Sequence, residues 1–361
     1  MTSPEFDIVY FLYLIISITV FFTVLFVGIN ANVVVLIAIL GDKKMRKSAT
    51  SLLLLNLAVA DLLYLIVVLL WIAFTPDLRA VLCPSYKWIH NSLLLGSVET
   101  YTAISLERYI ALVHPMKVKH LCCRRNVLIS MFLIWITAFL LESPTVLEDR
   151  YMAKDHFPYF QSLWQTDMRN QSSCSNIYFG TKKMKWFWYA ELLFTYFLPF
   201  LVSSLLYFKI CRELWSSNPR VLHRRARCSE EEGIRNSTDA SIKSALRSRK
   251  SVIKMLIICM VMFFICYTPM TILFFLVGVL DWHVLYVELS MSFAMLVMVP
   301  SAANPFLYAL FSSTFRLRVR AVMPRLFDIC CNCFSTMVKK IDSSKIRDAE
   351  LAPNIDHRVS A

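Results

Sequence analysis

The residues of this chain that can do chemistry are few, and they stand in costly places. Asp61 closes the stretch Asn56-Leu57-Ala58-Val59-Ala60-Asp61 in the middle of a long apolar run. A carboxylate there is expensive unless it turns toward a polar interior, and Asn32, Ser97, Ser301 and Asn304 are its expected partners. Such a site either holds a cation or a proton, or is a satisfied hydrogen-bond hub; the two roles are compatible. A second charged group, Glu107-Arg108-Tyr109, ends another apolar run. Cys83 and Arg108 are separated by about 37 Å of helix at about 1.5 Å per residue, which puts them at opposite faces of a bilayer. Between them His90, Leu94, Ser97, Tyr101, Ile104 and Arg108 keep helical spacing on one stripe. The stripe is either a relay from an outer site to an inner one or ordinary packing. No nucleophile with its base, metal-ligand cluster or phosphate-binding loop stands out, so the chain is not expected to be an enzyme.

The elements that carry these residues follow from composition. Of 361 residues, 57% are hydrophobic and 17% charged, against roughly 45–50% and about 25% in a soluble domain. The net charge of +13 fits basic residues gathered at membrane edges, and no nucleic-acid partner is expected. Eleven cysteines over this length are too dilute for a disulfide scaffold. Crossing a hydrocarbon core of about 30 Å takes about 20 helical residues, and seven runs reach or approach that length: Tyr10–Ile39, Leu52–Phe74, Tyr86–Val113, Asn126–Leu141, Trp186–Trp215, Ser251–Leu280 and Val284–Leu310. The expected fold is an all-α membrane protein. Residues 1–9 are a short outer terminus, 10–325 the transmembrane unit and 326–361 a cytoplasmic tail. The first run is read as a retained span, because it lacks a basic leading region and a small-residue cleavage site. Ser216–Ser251 and the tail read as mobile cytoplasmic segments.

Lys and Arg collect on one side of the spans, at Lys43 to Lys47, Lys117 to Arg125, Arg220 to Lys250 and in the tail. That bias sets the amino terminus outside and the carboxyl terminus in the cytoplasm. Asn170-Gln171-Ser172 then lies outside and is a glycosylation sequon, whereas Asn236-Ser237-Thr238 faces inward and is not. Pro199, Pro269 and Pro305 fall inside the fifth, sixth and seventh runs, freeing the carbonyls of Thr195, Ile265 and Ser301, and are expected to kink them.

The order and spacing of these features resemble the rhodopsin-like, class A, family of G-protein-coupled receptors over nearly the whole chain. The resemblance is carried by Asn32, Leu57 to Asp61, Glu107-Arg108-Tyr109, Trp135, Pro199 with Tyr207, Phe263 to Pro269, and Asn304-Pro305-Phe306-Leu307-Tyr308. Ile104–Arg125 looks similar to invertebrate neuropeptide receptors of the FMRFamide kind and to the thyrotropin-releasing-hormone type. Three positions depart from the usual pattern: Tyr267 stands where Trp is common, Glu107 where Asp is common, and Arg249 where some members place an acid opposite Arg108.

The resemblance implies a seven-helix bundle with a short amphipathic eighth helix near Phe315 to Arg318. It implies a Cys83–Cys174 disulfide, the alternative being two free thiols, and palmitoylation of Cys330, Cys331 and Cys333, the alternative being unmodified thiols. It implies no cofactor, and no metal beyond a sodium ion at Asp61. Where amine receptors carry Asp this chain has His90, and where light-sensing members carry Lys it has Met298, so amine and retinal recognition are set aside. A peptide-like pocket remains, lined by Trp71, His90, Asn91, Trp188, Glu191, Thr195, Tyr267, Thr271, Phe274 and Glu288. Glu191 either receives a basic group of a short amidated peptide or is satisfied internally by His90 or an adjacent polar group. The implied partners are an extracellular peptide, a heterotrimeric G protein that docks at a crevice lined by Arg108, Tyr207 and Tyr308, arrestin on a phosphorylated tail, and membrane lipids. A receptor for a lipid or other small molecule, and a transporter, are the rival classes. The implied location is the plasma membrane.

Overall fold

The computed structural model describes residues 4–146, 186, 189–216, 235–280 and 286–322. All the long elements among them are helices: α1 Pro4–Gly41, α2 Ala49–Ala73, α3 Pro76–Val113, α4 Arg124–Leu141, α5 Leu198–Ser216, α6 Arg235–Leu280, α7 Tyr286–Phe311 and α8 Ser313–Val322. The starts are readable in local chemistry. Thr75 Oγ1 accepts the Leu78 N–H at 3.4 Å, with proline in the first turn of α3. Ser312 Oγ accepts the Phe315 N–H at 3.2 Å and opens α8.

Six helices are long and apolar enough to cross a membrane, with spans Phe11–Gly41, Ala49–Ala73, Arg124–Val146, Tyr189–Glu213, Lys250–Leu273 and Ser292–Phe311. The expected third run is the exception. α3 is 38 residues long but carries His90, Asn91, Glu99, Glu107 and Arg108. Its surroundings explain the difference: it packs against α2, α4 and α5, so its polar stripe meets protein. The stripe is interior, with Leu94, Ser97, Tyr101 and Ile104 all buried. Outward faces are the reverse of a soluble protein's, and Phe26, Phe132, Phe208 and Ile265 are each more than 60% exposed.

The first span agrees with its expected start at Tyr10, although helix α1 itself begins earlier, at Pro4. Two sequence expectations change. The polar stretch after Ser216 is not a loop throughout: α6 is already helical from Arg235 and runs 46 residues, because Ser241 to Lys250 is rich in good helix formers. The fifth span does not simply kink at Pro199. A π-helical turn, Leu192–Phe197, precedes it, with the Leu198 N–H bonded to the Leu193 carbonyl. Pro269 and Pro305 do lie inside α6 and α7, joined by Pro84 in α3 and Pro300 in α7.

Close approach of α1 to α2 and α7 depends on Gly28. A Cβ there would meet Leu65 Cδ1 at 2.6 Å and the Ala302 backbone at 3.2 Å. α8 is docked by charge and by an aromatic. Arg318 Nη1 lies 2.5 Å from Asp42 Oδ2, Arg316 Nη1 donates to the Ala309 and Leu310 carbonyls at 3.0 and 2.7 Å, and Phe315 packs edge-on to Tyr308. Asp42 Oδ1 also accepts the Lys44 and Met45 N–H groups at 2.6 and 3.0 Å. The Met45 N–H first, then the Lys44 N–H and the Arg318 and Lys44 charges, hold the Asp42 carboxyl below its ordinary 3.8. A lowered carboxylate stabilises the docked state above its unfolded value, and that contribution disappears as pH falls through the lower folded value. A spin label at Leu317 is therefore expected to stay immobile above pH 3.8 and gain mobility below it, and to be mobile at every pH in Asp42→Asn.

Candidate functional site

Three clusters along the bundle contain the expected residues. The central one surrounds Asp61, which is 2% exposed. Its Oδ1 accepts from Ser301 Oγ at 2.9 Å and Ser97 Oγ at 3.3 Å, and its Oδ2 accepts from Asn304 Nδ2 at 2.8 Å. Asn304 Oδ1 in turn accepts the Tyr101 hydroxyl at 2.7 Å. Asn32 Nδ2 donates to the Gly28 and Ser301 carbonyls at 2.9 and 2.8 Å, while its buried Oδ1 has no hydrogen-bond partner. All five residues read from the sequence thus belong to one network from α1, α2, α3 and α7. The hub reading describes what the side chains do.

Beside the hub, Asn56 joins three helices. Its Nδ2 donates to Thr100 Oγ1 at 2.8 Å, and its Oδ1 accepts Trp135 Nε1 at 3.0 Å. Gly96 lets the indole lie against α3, since a Cβ would fall 3.3 Å from Trp135.

At one end, Arg108 is engaged by its neighbour. Its Nε and Nη2 reach Glu107 Oε2 and Oε1 at 2.6 and 2.9 Å, a two-pronged pair that Thr50 Oγ1 joins at 3.2 Å from α2. Tyr109 lies beneath Lys209 Nζ at 5.9 Å. Tyr207 and Tyr308 are only 5% and 1% exposed and belong to the same apolar core, so the crevice they are expected to line is closed here. Burial pushes the Cys122 thiol up, and Cys122, Cys123, Cys211, Cys259 and Cys266 are free.

The other end is aromatic and polar. Trp71 stacks on Tyr86 at 3.9 Å, and His90 lies between Tyr64 and Tyr86 at 5.0 and 5.3 Å. His90 Nδ1 is bonded to Asn91 Oδ1 at 3.1 Å. Tyr267 packs on Phe263 and Tyr196, and Thr195 and Thr271 bond back to the Glu191 and Tyr267 carbonyls at 2.7 and 3.1 Å. Phe274 and Glu288 are on helical backbone in α6 and α7, with side chains outside what is described. Trp188, Asn170, Cys174, Cys330, Cys331 and Cys333 lie outside the described residues. Cys83 is disulfide-bonded.

One residue of this end escaped the sequence reading. Glu142, just past α4, is 1% exposed and is hydrogen-bonded by Asn91. An acid at the end of an apolar run reads as a headgroup contact, yet Ile134, Ala138 and Glu142 share helical spacing on the buried face of α4.

Residues 31–308 match the model of the 7 transmembrane receptor (rhodopsin family). The chain belongs to that family. It is therefore a multi-pass membrane receptor and not an enzyme, and coupling to a G protein is implied by the family. α3 is accordingly a membrane span despite its polarity. The receptor is 35% identical to Neuropeptide receptor 15 of Caenorhabditis elegans over 82% of its own length and 86% of that protein. It is 29% identical to the Tachykinin-like peptides receptor 86C of Drosophila melanogaster over 91% of its length and 61% of that protein. It is 28% identical to the Allatostatin-A receptor of Bombyx mori over 82% and 76%. The resemblance to invertebrate neuropeptide receptors read from the sequence agrees with these relatives.

In the receptor, the Asn56–Trp135 bond has a checkable weight. Trp135→Phe keeps most of the ring but leaves Asn56 Oδ1 buried without its donor, and is expected to cost about 1–3 kcal/mol. Thermal unfolding in detergent measures it, with Asn56→Leu/Trp135→Phe less destabilised than the sum of the single variants.

Proposed function

We propose that the receptor lies in the plasma membrane with its amino terminus outside, binds a short, basic, amidated neuropeptide, and activates a heterotrimeric G protein at its cytoplasmic face. The observation that carries this reading is the kinship with receptors named for peptides, together with a bundle end that carries the aromatic rings of Trp71, Tyr86 and Tyr267 and the acid Glu191. The orientation follows the concentration of Lys and Arg on one side.

In this reading the peptide's basic group meets Glu191 through a charge-assisted hydrogen bond, and its apolar part packs on Trp71, Tyr86 and Tyr267. Agonist favours a state in which α6 pivots at Pro269 and uncovers Arg108, Tyr207 and Tyr308 for the G protein. Pairing of Cys83 with Cys174 pins the outer end of α3, a sodium ion at Asp61 favours the closed packing, and glycosylation at Asn170, palmitoylation of Cys330, Cys331 and Cys333, and arrestin binding to a phosphorylated tail complete the proposal.

Cells expressing the receptor, screened with amidated neuropeptides by calcium and cyclic-nucleotide readouts, are expected to respond to at least one basic peptide. Glu191→Lys at equal surface density is expected to weaken that response by about tenfold or more, as loss of a charged hydrogen bond requires. A best agonist without any cationic group, or one indifferent to Glu191→Lys, overturns the reading.

A further inference from the structure

The last turn of α7 draws its hydrogen-bond donors from two directions. A helix leaves its final four carbonyls without partners of its own, and in α7 these belong to Tyr308, Ala309, Leu310 and Phe311. The Ser312 N–H takes the Tyr308 carbonyl at 3.0 Å, and Arg316 Nη1 takes those of Ala309 and Leu310 at 3.0 and 2.7 Å. The remaining carbonyl is served by another helix: Ser251 Oγ, at the inner end of α6, donates to the Phe311 carbonyl at 2.9 Å. The corner where α7 passes into α8 is therefore also the place where α6 is fastened.

The position of Ser251 along α6 gives that bond leverage. α6 packs chiefly on α7 and touches α3 and α5 far less. Its ring contacts with α3 and α5 run from Phe263 to Tyr101 and from Phe264 to Tyr196 and Phe200. Those rings stand within about 9 Å of Pro269, whereas Ser251 lies about 27 Å from it along the helix. A tilt of about 5° at the proline moves the rings by less than about 1 Å but carries Ser251 by more than about 2 Å, out of hydrogen-bond range. Ile253, Met255 and Leu256 are buried at the same end, but apolar contacts yield gradually and lipid can replace them. The hydroxyl bond is the contact that separates a closed α6 from a tilted one. Across the bundle, Arg108 is engaged by Glu107, which Thr50 of α2 also reaches.

We propose that the Ser251–Phe311 bond is an autoinhibitory latch, which holds the inner end of α6 on the α7–α8 corner and keeps the crevice at Arg108, Tyr207 and Tyr308 closed when no agonist is bound. The latch goes beyond the peptide reading: it rests on the α6 pivot and on no particular ligand. It also makes α8 part of the restraint, because Arg316 and Ser251 cap neighbouring carbonyls of a single turn.

The test uses full-length receptor in lipid bilayers without any peptide. Spin labels at the exposed positions Lys254 and Leu317 report the distance from α6 to α8, and a second pair at Leu40 and Leu317 reports whether α8 stays docked. Ser251→Ala removes the donor, and Ser251→Thr keeps a hydroxyl. The latch predicts that Ser251→Ala populates a longer Lys254–Leu317 distance, leaves Leu40–Leu317 unchanged, and raises basal nucleotide exchange on an added heterotrimeric G protein by about two- to tenfold, the worth of one hydrogen bond. Ser251→Thr is expected to match the wild type in all three readouts. A Ser251→Ala receptor with wild-type distances overturns the latch, as does a Ser251→Thr receptor as open as Ser251→Ala. Lengthening of both distances overturns it too, because α8 has then left and α6 has not. A longer Lys254–Leu317 distance without added exchange upholds the latch and strikes instead the reading that α6 opening admits the G protein.

Discussion

The molecule is organised around a buried negative charge with no described cation beside it. Asp61 stands at the middle of α2, where an unserved carboxylate is prohibitively costly, and three neutral donors meet it from α3 and α7. Those donors have to be in register for the charge to be tolerated, so the requirement to solvate one side chain fixes the relative height of three helices. Asn32 adds the fourth by bonding the Ser301 carbonyl, and Gly28 one turn earlier removes the side chain that would hold α1 away. Apolar packing alone does not select such a register in lipid, where hydrocarbon chains compete equally well for apolar surfaces.

The hub is also the middle of a continuous contact path. One arm runs through Asn304 to the Tyr101 hydroxyl, then from the Tyr101 ring to Phe263 at 5.4 Å and on to Tyr267 at 5.6 Å. Inward, Tyr101 is followed two turns later on α3 by Arg108, held by Glu107 and linked to α2 through Thr50. A change of packing at Tyr267 is thus felt, through touching side chains, at the residues that satisfy Asp61. The substitution of Tyr for the commoner Trp shortens the ring at this junction while keeping a stacked contact with Phe263.

The sequence disclosed what physics makes expensive. Asp61 and its partners were legible because a charge inside an apolar run has to be answered by nearby polar groups, and few were available. The α3 stripe was legible because its spacing matches a helix over its whole length. Glu142 was not, because an acid next to Ser143-Pro144 at the end of a run has an easy explanation at the membrane surface, and only the burial of α4's opposite turns shows otherwise. The π-helical turn before Pro199 has no local signature, since any proline in a membrane helix prompts the same expectation of a kink. The helical start of α6 at Arg235 was hidden by polar composition, which is shared by solvated helices and loops alike.

The central claim is that the Asp61 network links the outer end of the bundle to the inner face, and nucleotide exchange tests it most directly. Wild-type receptor and Asp61→Asn, reconstituted in bilayers with a purified heterotrimeric G protein, are compared for binding of an activating peptide and for peptide-stimulated exchange. The account predicts that Asp61→Asn binds the peptide with nearly unchanged affinity yet loses most of the stimulated exchange. Undiminished exchange in Asp61→Asn at equal peptide occupancy contradicts it.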